Sequence, residues 1–117
     1  MKQDSITKLK LFQLTSKIKQ TTLLEKTLQR FQHKATQLQL HIKEQEKLLG
    51  ISDPKHYNYP PSARDAALRQ EKLLVSIQEL TTQKDALTTE IESLRMEIEK
   101  MQQKLFEKAI PSAYKTA

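Results

Sequence analysis

The side chains able to do chemistry are three histidines, 14 carboxylates and 20 lysines or arginines, because the chain has no cysteine. His33 and His41 stand eight residues apart, more than two turns of a helix. No acidic cluster joins them at metal-ligand spacing, so they read as surface histidines and no metal or cofactor is expected. Gly50 is the single glycine, and one glycine cannot build a phosphate-cradling loop. Glu90, Glu92, Glu97 and Glu99 crowd one helical run, but a two-helix rod gives them no concave wall in which to tune a proton. No catalytic residue is assigned, and the chain reads as a non-enzyme.

The remaining chemistry is charge, and it is unevenly placed. Residues 1–50 hold ten Lys/Arg against four acids, whereas residues 62–117 hold nine of each. Such a basic first half suits an acidic partner, protein or nucleic acid. It equally suits a solvated face that complements the acids of the second half. Lys17, Lys19, Lys26 and Arg30 are the candidate contacts. Two features argue against nucleic acid. The cations are spaced singly and not in the dense block of a basic-region zipper, and aromatics, which would stack on bases, are only 5% of the chain.

What positions these residues is helix. Gly50, Pro54, Pro60, Pro61 and Pro111 are the only glycine and prolines, confined to the middle and the C-terminal end. The uninterrupted stretches between them are rich in Leu, Lys, Gln and Glu, good helix formers. The expected organisation is one domain over 1–117: helix 5–49, loop 50–61, helix 62–109 and a short tail 110–117. Asp4 or Ser5 would cap the first helix and Ser62 the second. Gly50 would stop the first in a left-handed C′ conformation, and Pro111 would end the second.

Along the second helix Leu73, Ile77, Leu80, Lys84, Leu87, Ile91, Leu94, Ile98, Met101 and Leu105 alternate steps of four and three, a heptad seam broken only by Lys84. A polar residue there costs stability and fixes register. Along the first helix Leu24, Leu28, Phe31, Ala35, Leu38, Ile42, Gln45 and Leu49 do the same. Upstream, Leu11, Leu14, Ile18 and Thr21 follow in a shifted phase, which predicts a stammer between Thr21 and Leu24. Two arms of about 45 residues, each about 65–70 Å long, fold back as an all-α, two-helix antiparallel coiled-coil hairpin. Leu23, Leu40, Val75, Met96 and Phe106 fall off the seam. They are either scattered surface residues or contacts for a partner or second copy. No apolar run reaches the roughly 18 residues of a membrane span. The opening MKQDSITKLK has no apolar core of a secretory signal.

The loop is stiffened by Pro54, Pro60 and Pro61, and Asp53-Pro54 favours a turn. Tyr57 and Tyr59 can close the open end of the helix pair. His56, Tyr57, Tyr59 and Arg64 can alternatively present a partner-binding tip.

Residues 51–70, ISDPKHYNYPPSARDAALRQ, are more specific than a generic coiled coil. Asp53, Pro54, His56, Tyr57, Tyr59 and Pro60, followed by Ala63, Ala66, Ala67 and Arg69, resemble the alphaproteobacterial branch of the FliJ family of flagellar export proteins. The run Leu9–Gln13 is similar to that branch's opening. The close likeness covers about thirty residues; elsewhere only heptads agree. The resemblance implies a non-enzymatic accessory component of the flagellar type III protein export apparatus, serving motility and chemotaxis. It would be a stalk-like coiled coil, cytoplasmic and peripheral at the inner membrane, binding the export ATPase and the cytoplasmic domain of the export gate. The family's second helix continues past the point where this chain meets Pro111, so whatever that extension contacts is not carried over. A structural coiled-coil adapter, or a homodimer forming a four-helix bundle unrelated to export, stays open beside it, as does a basic nucleic-acid binder.

Overall fold

The computed structural model describes residues 2–109, with side chains from Ser5 onward. Two helices account for nearly all of it: α1, Lys2–Leu49, and α2, Pro61–Ala109. The fold is all-α, a two-helix antiparallel coiled-coil hairpin, as the heptads predict. Threonines inside both helices return their hydroxyls to the carbonyl four residues back, as Thr21 does to Lys17 O at 2.9 Å, so they need no partner elsewhere.

Three boundary expectations change. The first helix starts at Lys2 and not at residue 5, so neither Asp4 nor Ser5 stands at its N-cap. The second starts at Pro61, one residue before the expected start at Ser62. Pro61 fits the first helical position because its missing N–H has no partner to lose there. Pro60 O accepts from Arg64 N at 3.1 Å, which makes Pro60 the half-in residue and puts Ser62 inside the first turn, not at the cap. Pro111 and the tail 110–117 lie outside the described residues.

The packing forms two compact units: residues up to 22 with those from 85 onward, and residues 23–84. In the first, α2 supplies the apolar side, with Ile91, Leu94 and Ile98 buried. The facing residues of α1 are Thr7, Lys10, Leu14, Lys17 and Thr21, all half-buried. In the second, α1 contributes buried Leu28, Ala35 and Ile42, and α2 contributes buried Ala63 and Ala66. Leu24, Phe31, Leu38, Leu73, Ile77 and Leu80 are half-buried beside them.

These burial patterns correct the expected stammer. On α1 the steps Thr7, Lys10, Leu14, Lys17, Thr21, Leu24, Leu28 alternate three and four without interruption, so one heptad phase is kept. Lys10 and Lys17 hold the d positions, while Leu11 and Ile18 sit one column outward at e, 43% and 39% exposed. A lysine can do this because its stem packs on apolar neighbours while the ammonium reaches the edge. At the other end Leu49, expected on the seam, is 56% exposed, because the chain leaves the helix at the next residue.

Candidate functional site: the hairpin tip

The tip begins where α1 stops. Gly50 has φ +69°, the left-handed conformation that costs other residues about 1–2 kcal/mol. Ile51 N then donates to Glu46 O at 3.2 Å, the six-residue closure of a Schellman motif. Ile51 packs with Leu38 against the core cluster of Ile42, Tyr59, Ala63 and Ala66, so the chain re-enters the core as soon as it leaves the helix. Gly50 therefore acts as read from the sequence.

The loop is built of short local turns. Asp53 Oδ1 accepts from Lys55 N at 3.0 Å, an Asx turn. His56 N donates to Asp53 O at 3.0 Å, and Tyr59 N to His56 O at 3.1 Å. His56 Nδ1 accepts from Asn58 N at 3.0 Å. His56 is thus spent on loop geometry.

Tyr59 is the anchor. It is 4% exposed and lies over Ala63 and Ala66, which are 0% and 4% exposed. Only residues as small as alanine leave room for a ring at the narrow end of the pair. The Tyr59 hydroxyl donates to Glu46 Oε2 at 3.1 Å. Burial, then the hydrogen bond to Glu46 and its charge, hold the phenol above its ordinary pKa near 10, partly offset by Arg64. The Arg64 guanidinium stands 5.9 Å over the Tyr59 ring, within cation–π range. Pro60 is fully buried.

Tyr57 does the opposite. It is 86% exposed and stacks on His56 with ring centroids 4.7 Å apart. The tip thus has an inner tyrosine that closes the core and an outer one that presents an aromatic face. His56, Tyr57, Tyr59 and Arg64 are brought together there with Gly50, Asp53, Pro54 and Pro60. The arrangement can hold a partner by apolar and cationic contact.

The four candidate cations of α1 are not part of the tip. Lys19, Lys26 and Arg30 are exposed on outward columns of the helix. Lys17 is in the seam, its Nζ 2.6 Å from Glu90 Oε2, so it is engaged within its own unit. Lys10 pairs with Glu97 in the same way. Sequence reading missed these pairs, and missed Glu46 as the partner of Tyr59. The signal was present: two lysines seven apart on α1 face two glutamates seven apart on α2. Lys84, expected to set register, has its Nζ 3.5 Å from Glu25 Oε1.

His33 and His41 are exposed, and among the described residues no three His, Asp or Glu side chains gather as metal ligands. Among the described residues no helix is long and apolar enough to cross a membrane. No family model, curated protein or solved structure matches the chain.

Proposed function

We propose that this chain is a non-enzymatic accessory component of the flagellar type III protein export apparatus. It acts as a stalk-like coiled coil that binds the export ATPase and the cytoplasmic part of the export gate, on the cytoplasmic side and peripheral to the inner membrane. One observation carries the reading. Seven of the ten residues on which the family resemblance rests have distinct places in one small structure, the tip: Asp53 and His56 hold the turns, Tyr59, Pro60, Ala63 and Ala66 are buried, and Tyr57 is left outward. A generic coiled-coil loop has no need of that set. Exposed Lys19, Lys26 and Arg30 supply charge for an acidic partner surface, which speeds encounter and fixes orientation.

The test is a pull-down of the purified chain against the flagellar export ATPase of the same organism, at low and high salt, with the ATPase rate read in parallel. The reading expects binding that weakens with salt, a changed rate, and loss of binding in Tyr57→Ala or in Lys26→Glu with Arg30→Glu. No binding at either salt sinks it and leaves a coiled-coil adapter with another partner.

A further inference from the structure

The unit containing the helix ends is lopsided. Its α2 side brings Leu87, Ile91, Leu94 and Ile98, each buried or half-buried. Opposite them α1 brings a single aliphatic side chain, Leu14, between Thr7, Lys10, Lys17 and Thr21. In the unit of residues 23–84, α1 instead supplies an unbroken apolar seam, Leu24, Leu28, Phe31, Ala35, Leu38 and Ile42, and buried Tyr59 and Pro60 close its end. Burial of apolar surface is the main favourable term in folding, and the unit of the helix ends has much less of it.

Charge stands in its place. Residues 5–22 carry four lysines and no carboxylate, a net +4, while residues 85–109 carry four cations against six carboxylates, a net −2. The attraction is focused in two ion pairs, Lys10 with Glu97 and Lys17 with Glu90. The lysine side chains are 27% and 30% exposed and the glutamates 48% and 52%. Pairs so open to water contribute little each and are screened by salt.

We infer that this unit is an electrostatic clasp, which opens as one cooperative piece while residues 23–84 stay closed, and is released when Lys10 and Lys17 are drawn away from Glu97 and Glu90. Rising ionic strength releases it by screening both pairs. Opening of a weaker cooperative unit ahead of global unfolding is how proteins with uneven burial respond. Release uncovers Ile91, Leu94 and Ile98, which the closed clasp keeps from water. The clasp is independent of the export reading and stands or falls without it.

The experiment is native-state hydrogen exchange of the full chain at low and high salt, resolved residue by residue. Amides of residues 10–21 and 88–98 should share one protection level, about tenfold or more below that of residues 28–42 and 66–77. High salt should lower the first level several-fold further and change the second little. Lys10→Leu with Lys17→Leu should raise the first level and flatten its salt response. Glu90→Gln with Glu97→Gln should lower the first level, also flatten its salt response, and leave the second level where it was. Equal protection in the two sets overturns the inference, as does an equal response to salt. A protection that declines gradually toward the helix ends overturns it too, because that is fraying and not a cooperative clasp.

Discussion

Lys17 Nζ lies 2.6 Å from Glu90 Oε2, although Lys17 occupies a core position of its helix and Glu90 flanks the seam of the other. One heptad back along α1, Lys10 meets Glu97, one heptad on along α2. Stepping seven residues in opposite directions and meeting the same pairing is the signature of antiparallel register. A slip of one heptad would leave one lysine of the two facing no glutamate. Polar seam residues cost stability and select register and orientation, and in this unit the selection is made by lysines whose ammonium groups stay at the edge.

Replacing Lys17 by leucine should therefore stabilise the helix pair. Leucine would join Leu14 against the buried Ile91 and Leu94, and apolar replacement of a partly buried ion pair is commonly neutral or favourable by about 1 kcal/mol or more. Thermal unfolding followed at 222 nm should show a midpoint raised by a few degrees. Glu90→Lys, which sets like charges together, should lower it. A lowered midpoint in Lys17→Leu would mean the lysine is not in the seam.

Tyr59→Phe should cost about 1 kcal/mol, the usual net worth of a hydrogen bond, by removing the donor to Glu46. It should also change the alkaline limb of stability. Burial and Glu46 raise the folded-state phenol above 10. The unfolded chain therefore loses this proton first, and the contribution is present below pH 10 and is lost as the pH rises through the folded value. Denaturant midpoints taken from neutral to alkaline pH should fall more steeply in the parent than in Tyr59→Phe. Parallel curves would exclude the buried phenol as the cause.

Most of the seam of α2 and of the tip-ward half of α1 was legible in the sequence because the apolar residues recur at one strict period; the outermost expected seam residues, Leu105 and Leu49, are instead exposed, each standing where the helix pair runs out of cover. Residues 10–18 misled for a physical reason. Leu11 and Ile18 outscore Lys10 and Lys17 in hydrophobicity, so a pattern built on apolarity follows them and must insert a stammer. The helix instead keeps one heptad phase against a regular α2, and the lysine stems tolerate the seam because their charges find Glu97 and Glu90. The tip was legible in its stops, Gly50 and Pro60-Pro61. Which tyrosine goes inward was not, since Tyr57 and Tyr59 are the same side chain two residues apart in one loop and only the Ala63–Ala66 floor decides.

Gly50→Ala isolates a backbone effect. A methyl at Gly50 would meet no atom within 4 Å, so the penalty should come from the left-handed φ alone, about 1 kcal/mol. A loss of several kcal/mol in equilibrium denaturation would point to a packing role instead.

Ala63→Leu tests the floor under Tyr59. Ala63 is fully buried, and forcing methylenes into a filled site costs about 1–3 kcal/mol. The change should expel Tyr59, read as a phenol that titrates near its ordinary value by ultraviolet difference spectroscopy. A phenol still held high would show that the ring rests elsewhere.

The antiparallel register is tested most directly by zero-length carbodiimide cross-linking of the chain at low concentration, read by peptide mass spectrometry. Ammonium and carboxylate must touch to react. The antiparallel seam predicts the linked pairs Lys10–Glu97, Lys17–Glu90 and Lys84–Glu25. Lys17 joined to Glu97, or Leu11 and Ile18 turned inward so that Lys10 and Lys17 cross-link to neither glutamate, would contradict it.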